Sequence, residues 1–350
     1  MCADQWSVQL FVGAELGSGK SVEFRFGIGG TGTYLPRETL TAAQYDRLTG
    51  LPAGQVAARF GVEQRHRASP DETSSWMAAE AGRQALTEAG WAPQSLDVII
   101  SACGVMEQPI PGTAALVQRQ LGLGNSGIPA FDVNATCLSF LIAFDRVLAG
   151  FALGEWRRAL IVSADVASAA VDFSDPEASV LFGDGAAAIA LEADGPHQRL
   201  AQNFRTYGDS ADYCRLEAGG TRVRLSDGID EFIARASFRM DGPALFKATA
   251  RYFRPFIGEL FEQARVSAAD IDCVIPHQAS RAAIDHLIHS VRLQRECTID
   301  LFAEVGNLIA TSIPFALAHA WRTGRLKPGE LGLIVGSSAG VSLGGAVIRW

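Results

Sequence analysis

The sequence predicts an α/β protein in which two duplicated halves form five alternating layers, α-β-α-β-α. Its candidate strands are near-continuous apolar runs, which is typical of strands buried on both faces of a sheet. These runs alternate with amphipathic helices, and this order predicts mixed, mostly parallel sheets joined by right-handed crossovers. The same order of elements occurs twice along the 350 residues, so we predict two similar halves packed side by side.

The repeat can be followed element by element. The first copy begins with a helix and a strand at Ser75–Ala89 and Val98–Ser101, and the second has counterparts at Ala244–Ala264 and Cys273–His277. The later elements match in the same order: a helix at Thr113–Leu121 and Arg281–Val291, a junction that opens another helix at Asn134–Cys137 and Val305–Leu308, and a closing strand at Ala159–Ser163 and Leu333–Ser337. In this alignment, Asn307 of the second junction matches Cys137 of the first.

The repeat predicts three parts of the chain. Residues 1–24 form an N-terminal extension, residues 25–195 form a half that carries the candidate nucleophile Cys137, and residues 196–350 form a half that carries His277 and the matching Asn. Residues that follow equivalent strands are expected to meet in one cleft between the halves.

Composition excludes several classes of function. The net charge is −8, which argues against wholesale nucleic-acid binding. No run of about 18 apolar residues predicts a membrane span, and the N-terminus does not resemble a secretory signal. The cysteines lack metal-site or disulfide spacing, which predicts reduced thiols in a cytoplasmic protein without a metal; they are Cys2, Cys103, Cys137, Cys214, Cys273 and Cys297.

Two glycine-rich patterns near the N-terminus imitate nucleotide-binding motifs. Ala14–Ser21 satisfies a loose phosphate-loop pattern, but the residues after it alternate like a strand, whereas that loop needs a helix. Gly27–Gly32 satisfies the pattern GxGxxG, but Pro36 forbids the helix that this motif requires. We therefore predict a glycine-rich first strand and turn rather than a nucleotide site.

Cys137 is a candidate nucleophile because it lies where a strand-like run meets a long apolar helix. A helix N-terminus offers free amides and a positive dipole end, which lower the pKa of a thiol. The alternative interpretation is a small buried hydrophobic residue, which is a common role of cysteine.

His277 and Asn307 complete a candidate constellation. His277 follows a buried strand, at the end where open α/β sheets place their sites. Asn307 precedes a helix, and its alternative role is a helix N-cap. The set predicts acyl-thioester chemistry: the thiol accepts an acyl group, and the imidazole and carboxamide donate hydrogen bonds to the carbonyl of a second thioester as its Cα becomes an enolate. The backbone N–H of Cys137 would help to hold the first oxyanion.

Several motifs, in a fixed order, connect the chain to a known family; they are Gly30–Pro36, Arg59–Val62, Leu181–Ala186, Pro276–Ala279, Gly306–Asn307 and Gly340–Trp350. Through them, residues 25–350 resemble β-ketoacyl-acyl-carrier-protein synthase III and its relatives in the thiolase superfamily. The resemblance implies a thiolase-like five-layer sandwich, a homodimer, and no cofactor beyond coenzyme A or phosphopantetheine thioesters as substrates. It also implies that Cys137 is acylated, that His277 and Asn307 act in decarboxylation or enolisation, and that the Ala339 N–H is a second oxyanion donor.

Some residues depart from the family pattern. Leu138 and the residues after it put bulk beside the nucleophile, and Ser338-Ala339 replaces a pair of glycines. Gln55 stands where the primary-metabolism enzymes carry a Trp that stacks on the adenine of coenzyme A, and Glu63 stands where they carry an Arg. These departures imply weaker contacts with the coenzyme A nucleotide and favour a specialised-metabolism or lipid branch of the family.

A basic cluster indicates an acidic acyl carrier protein as partner; its members are Arg235, Arg239, Lys247, Arg251 and Arg254. The alternative is a solvated helix face. Phe246 and Lys247 match a Phe-Lys pair at the family's tunnel entrance. Arg59, Ser280 and Arg281, which lie in or beside the shared motifs, are further candidate contacts for the substrate or carrier.

Two other functions remain open on this sequence. In the first, the protein is a non-condensing relative of the same fold that transfers the acyl group only to an oxygen or nitrogen nucleophile. In the second, it is a catalytically silent subunit that stabilises a partner ketosynthase. The presence of Asn307 favours condensation over the first alternative, and the presence of Cys137 argues against the second.

Overall fold

The computed structural model describes residues 24–350, so the phosphate-loop pattern of Ala14–Ser21 lies outside the described residues. The strands in this range are β1 (Phe24–Tyr34), β2 (Glu38–Thr41), β3 (Gln64–Arg67), β4 (Val98–Ser101), β5 (Ala130–Asp132), β6 (Arg158–Asp165), β7 (Gly185–Ala193), β8 (His197–Ser210), β9 (Cys214–Arg215), β10 (Arg239–Met240), β11 (Cys273–Pro276), β12 (Leu331–Ser338) and β13 (Gly340–Arg349). The helices are α1 (Ala42–Thr49), α2 (Gln55–Phe60), α3 (Ser74–Ala89), α4 (Thr113–Gln120), α5 (Ser139–Ala152), α6 (Pro176–Ser179), α7 (Ile229–Arg235), α8 (Gly242–Ala264), α9 (Arg281–Val291), α10 (Phe302–Val305) and α11 (Ser312–Arg322).

The principal sheet repeats one strand order in both halves. Its order is β11-β12-β13-β8-β1-β7-β6-β4-β5, so the halves are joined where β1 pairs with β8 over Phe24–Phe26. The predicted mixture of directions is confirmed, but the prediction of mostly parallel strands is wrong. β4 pairs parallel with β5 and β6, and β11 with β12, whereas the long strands β1, β7, β8 and β13 pair antiparallel with their neighbours. Those long strands are rich in Gly and Ala or carry charges, so their apolar pattern is weak.

Five layers follow from the helix contacts. α3 and α4 cover the outer face of the first half, and α8 covers β8 and β13 of the second, with α9 packed against α8. α5 and α11 lie between the two half-sheets: α5 contacts β1, β6 and β13, and α11 contacts β7 and β11. The predicted α-β-α-β-α sandwich is therefore confirmed.

Glycines in β1 allow α3 to approach the sheet closely. A methyl group on Gly30 would overlap the Ala85 carbonyl, and one on Gly32 would overlap the Ala81 carbonyl. The glycine pattern thus belongs to a strand, as predicted, and α3 packs closely on that strand.

One hydrophobic core crosses the boundary between the halves. Phe140 and Phe144 of α5 are in the same buried cluster as Ile275, Ile313 and Ile334 of the C-terminal half. In the part of the chain that the structure describes, no helix is long and apolar enough to cross a membrane.

Candidate active site

A cavity of about 990 Å³ opens where the two halves meet, and residues from both halves line it. Cys137, His277, Asn307 and Ala339 all lie on its wall. The structure therefore brings the predicted nucleophile, the two predicted donors and the predicted second oxyanion residue to one place. Much of the remaining wall is apolar, and it includes Val105, Leu181, Phe182, Phe238 and Met240.

A tight turn presents Cys137 just before α5. Thr136 has a φ of 50°, a left-handed conformation that is uncommon for a residue with a side chain. Ser139 stabilises the turn because its Oγ accepts from the Ala135 N–H at 2.9 Å and donates to the Thr136 carbonyl at 2.6 Å. Local hydrogen bonds thus place the thiol two residues ahead of the first helical residue.

Burial controls the ionisation of the Cys137 thiol. Desolvation raises the pKa of Cys137 well above its ordinary value, and the nearby Cys214 thiol and Asp165 carboxyl raise it further. A backbone hydrogen bond lowers the pKa but does not compensate for burial. The sequence-based expectation of a lowered thiol pKa at the helix end is therefore wrong, because the apolar wall outweighs the helix terminus.

His277 enters the cavity from the end of β11 as a buried, neutral imidazole. Its backbone N–H donates to the Val335 carbonyl at 2.8 Å, and a methyl group on Gly336 would come within 2.9 Å of the His277 Cβ. Desolvation lowers the pKa of His277 to about 4. Nδ1 is buried without a hydrogen-bond partner among the described residues, which leaves Nε2 as the ring nitrogen that faces the cavity. An orphaned N–H is rarer than an orphaned acceptor, so the tautomer with its proton on Nε2 is favoured.

The Asn307 side chain is oriented as a donor. Its Oδ1 accepts from the Ile309 N–H at 2.9 Å, and Nδ2 has one long contact, 3.5 Å, to the Ala279 carbonyl. Since a carboxamide nitrogen carries two N–H groups, one of them remains for a ligand in the cavity. Asn307 is also held by its backbone, since its N–H donates to the Leu181 carbonyl at 2.9 Å and its carbonyl accepts from the Gly183 N–H at 3.2 Å.

The hydrogen bonds correct the alignment of the two junctions by three residues. Asn134 accepts from the Thr136 N–H at 2.9 Å, as Asn307 accepts from the Ile309 N–H. Thr136 and Ile309 share the left-handed φ, with values of 50° and 52°. The matching serines, Ser139 and Ser312, accept from Ala135 and Leu308 at 2.9 and 3.0 Å. Asn307 therefore matches Asn134, and the structural counterpart of Cys137 is Ala310.

Asp165 joins the halves beneath the cavity. One carboxylate oxygen accepts from the Gly104 and Val105 N–H groups at 2.8 Å, and the other accepts from the Thr311 N–H and Oγ at 3.1 and 3.0 Å. Burial raises the pKa of Asp165 to about 6 in spite of these bonds. Sequence reasoning missed Asp165, because nothing in its local pattern shows that its partners come from both halves.

The predicted contacts with substrate or carrier divide into two groups. Phe246 and Ser280 line the cavity, and Ser280 also caps α9 by accepting from the Ala283 N–H at 3.1 Å. Four other residues lie outside the cavity wall: Arg59, Lys247, Arg251 and Arg281. Arg59 pairs with Glu177, and Arg281 lies against Gly61. Lys247 and Arg251 are exposed.

The predicted basic cluster is partly neutralised. Arg235 pairs with Glu217 at 3.1 Å and with Glu231 at 2.6 Å. Arg215 and Arg222 pair with the same Glu217 at 3.4 Å. These acids come from the segment around β9 and α7, whose position the sequence did not predict.

Cys214 is a second thiol on the cavity wall. It begins β9 and is half-buried, and burial raises its pKa to about 11. Among residues 24–350, no cluster of three or more His, Cys, Asp or Glu side chains is arranged to hold a metal ion.

Comparisons with known proteins connect the chain to one family. The family models for 3-oxoacyl-[acyl-carrier-protein] synthase III and for its C-terminal region match residues 131–208 and 261–350. The chain is 35% identical over 333 residues to an acetoacetyl-CoA synthase of Streptomyces sp. strain CL190, covering 94% of this chain and 99% of that protein. It is 32% identical over 328 residues to a β-ketoacyl-[acyl-carrier-protein] synthase III of Neisseria meningitidis, covering 92% and 98%.

Solved structures show the same fold. The 3-oxoacyl-[acyl-carrier-protein] synthase III of Aquifex aeolicus superposes with a TM-score of 0.83 at 31% identity, over 93% of this chain and all of that one. OleA of Xanthomonas campestris superposes with a TM-score of 0.81 at 21% identity, over 94% and 99% of the two chains, which shows a common fold.

The chain belongs to the 3-oxoacyl-[acyl-carrier-protein] synthase III family. Within it, the protein is a β-ketoacyl synthase III-type condensing enzyme, an acyltransferase with the thiolase fold.

Proposed function

We propose that Cys137 accepts an acyl group from a coenzyme A or carrier-protein thioester, and that the acyl group is then joined to a malonyl- or β-ketoacyl-type thioester by Claisen condensation. The observation that carries the proposal is the orientation of Asn307, whose Nδ2 is left as a donor on the same cavity wall as Cys137 and His277. Two donors and a thiol on one wall suit two consecutive thioester reactions.

The first step is thioester exchange. The Cys137 sulfur attacks the acyl carbonyl, its new C–S bond replaces that of the donor thioester, and the departing thiolate takes the thiol proton. Because burial keeps the thiol neutral in the free enzyme, this proton leaves only as the acyl donor arrives, and it passes to the departing thiolate. The backbone N–H groups of Cys137 and Ala339 are the proposed oxyanion donors.

The second step forms the carbon–carbon bond. The carbonyl of the incoming thioester accepts from His277 Nε2 and Asn307 Nδ2 as carbon dioxide, or a proton, leaves its Cα. The enolate attacks the acyl carbon, the bond to Cys137 breaks, and the released thiolate takes up a proton. Removing one such donor typically costs about 3–4 kcal/mol, or roughly 10²–10³ in rate.

Substrate class and partners belong to the same proposal. The cavity volume of about 990 Å³ lies at the upper end of small-molecule sites and leaves room for an acyl chain beside a pantetheine arm. The exposed Lys247 and Arg251 are the proposed contacts for an acidic carrier protein. A homodimer is supported by β5, an edge strand of the sheet whose Phe131 is exposed, because such an edge invites pairing with a second copy.

Acyl mapping tests the proposal. Incubation with an acyl-CoA or acyl-carrier protein, followed by peptide mass spectrometry, should place the acyl group on Cys137, and later addition of a malonyl thioester should release a β-keto product. Cys214→Ser is the matched control, since it removes the other thiol of the cavity and should acylate normally, whereas Cys137→Ser should not. Acyl transfer to water, an alcohol or an amine without a β-keto product would favour the non-condensing alternative, and absence of acylation would favour the silent subunit.

A comparison of donors tests the carrier contacts. If Lys247 and Arg251 receive a carrier protein, kcat/KM for an acyl-carrier protein should fall steeply with added salt, because screening weakens the attraction between exposed charges. The value for the matching acyl-CoA should change less. Equal salt dependence for both donors, or no change on Lys247→Ala, would remove these residues from the proposal. Light scattering would test the dimer, which Phe131→Glu should weaken.

A further inference from the structure

In the part of the chain that the structure describes, Arg65 is a buried cation without an acidic partner. Its residue is 0% exposed, and among the described residues no carboxylate forms an ion pair with it. Nε and Nη2 are buried, and neither has a hydrogen-bond partner within residues 24–350. Burial lowers the pKa of Arg65 below its ordinary range, yet the group stays charged near neutral pH. An unpaired buried charge is expensive, so a neutral residue of similar size would fill this space at lower cost.

The guanidinium is packed under the segment that delivers Asn307. Nη1 donates to the Ala303 carbonyl of α10 at 3.0 Å, and to the Gln64 carbonyl at 2.6 Å. The guanidinium carbon lies 4.7 Å from the centre of the Phe302 ring. Arg65 thus binds both the backbone and a side chain of α10, the helix that ends two residues before Asn307.

The turn after α10 is shaped around this guanidinium. Gly306 has a φ of 76°, and a methyl group there would overlap Nε and come within 2.7 Å of Cζ. On the other side, a methyl group on Gly183 would lie 3.4 Å from the Arg65 Cδ. Gly183 donates its N–H to the Asn307 carbonyl, so Arg65 contacts both backbone segments that flank Asn307.

We propose that Arg65 is a positioning residue for the condensation step, which fixes Asn307 in its donor orientation by packing under Phe302–Gly306 and beside Gly183. This inference rests on the proposed function of Asn307. Cys137 is presented by a different turn, held by Ser139, so its acylation does not depend on Arg65. The two half-reactions therefore separate the effect of Arg65 from a general loss of structure.

The test uses the full chain and measures both half-reactions. Arg65→Met keeps most of the side-chain volume but removes the charge and the bond to Ala303. We expect Cys137 to acquire its acyl group from acetyl-CoA within twofold of the wild-type rate. Reaction of the acylated variant with malonyl-CoA should be slowed about 10²-fold, the effect expected when a reacting group is misplaced by about 1 Å. Arg199→Met is the matched control, because Arg199 is also largely buried but pairs with Asp145.

Other variants keep the proposal testable. If Arg65→Met does not fold, Arg65→Lys is measured instead. It should acylate normally but condense about tenfold more slowly than the wild type. An equal loss of rate in acylation and condensation, or full condensation activity in a folded variant, would overturn the positioning role of Arg65. The variant Asn307→Ala distinguishes failure of the Arg65 proposal from failure of the proposed function. If Asn307→Ala condenses normally, Asn307 is not a donor in the condensation step.

Discussion

Burial sets the chemistry of single residues in this cavity. Burial raises the thiol pKa of Cys137 and Cys214 and lowers the imidazole pKa of His277, because each side chain is removed from water. A neutral thiol and a neutral imidazole on one cavity wall differ from a preformed thiolate–imidazolium pair. The enzyme is therefore expected to ionise Cys137 only when an acyl donor displaces its proton.

The alkylation rate of Cys137 tests this expectation. At pH 7.5, iodoacetamide should modify Cys137 at least about tenfold more slowly than free cysteine, because the reactive thiolate fraction falls tenfold for each unit that the pKa rises. The rate should continue to rise with pH beyond 9. Peptide mapping separates this modification from that of Cys214. Modification faster than that of free cysteine would mean that the helix end dominates after all.

His277 links stability to pH. Its pKa is about 4 in the folded protein and about 6.5 in an unfolded chain, so between these values only the unfolded chain takes up the proton. The free energy of unfolding should therefore fall as the pH is lowered through this window, and rise again as the pH is raised. We expect the wild type to lose about 2–3 kcal/mol more than His277→Gln between pH 7 and 4.5.

Denaturant titrations at the two pH values provide the measurement. His197→Gln is a suitable comparison, since His197 is another buried imidazole whose pKa burial lowers but which lies outside the cavity wall. If the free energy of unfolding falls equally in the wild type and in His277→Gln, the result would contradict a neutral, buried His277.

Local sequence could indicate the candidate residues but not their supports. A Cys at a strand-to-helix junction, a His after a buried strand and an Asn before a helix each have a local signature, and all three lie on one cavity wall. Arg65 and Asp165 have none, because their partners are distant in the chain. The ionisation of Cys137 was also mispredicted, since burial depends on the whole cavity wall rather than on the adjacent helix.

Among the elements, strands with strong apolar patterns were predicted well. β4, β6, β11 and β12 and the helices α3, α4, α8 and α9 lie within a few residues of their predicted ranges. The antiparallel strands β8 and β13 and the segment with β9 and α7 were missed, because their stability comes from neighbours in the sheet or from ion pairs. The three-residue error in the alignment of the junctions could be corrected only from hydrogen bonds that the structure shows.

Contact between β1 and α3 gives a prediction for the glycine-rich strand. Gly32→Ala should lower the free energy of unfolding by about 1–3 kcal/mol, because the added methyl group overlaps the Ala81 carbonyl and α3 must shift. Gly208→Ala is the matched control, since its site in β8 is open, and it should change stability by less than about 0.5 kcal/mol. Urea unfolding measures both, and equal effects would show that Gly32 has no special packing role.

At the scale of the whole molecule, the two predicted halves share one core. Phe140 packs in the same cluster as Ile313, and Asp165 bonds Gly104 of one half and Thr311 of the other. A boundary at residue 195 is still a prediction, and these contacts imply that neither half is stable alone.

Unfolding should therefore occur in one cooperative transition, with urea curves from far-ultraviolet circular dichroism and from tryptophan fluorescence superimposed. Asp165→Ala should keep the single transition but lower the free energy of unfolding by about 2–4 kcal/mol, because several buried N–H donors lose their acceptor. Two separate transitions in the wild type would show that the halves fold independently.

In the proposed mechanism, one thiol and two neutral donors divide a condensation between them. Its most direct test is a single-turnover experiment in which the acyl-enzyme is isolated, mixed rapidly with a malonyl thioester and assayed for the β-keto product. Asn307→Ala should acylate at the wild-type rate but condense about 10²–10³-fold more slowly, while Asn203→Ala, which removes a buried Asn elsewhere, should do both normally. Condensation at the wild-type rate by Asn307→Ala would show that Asn307 is not a donor in the condensation step.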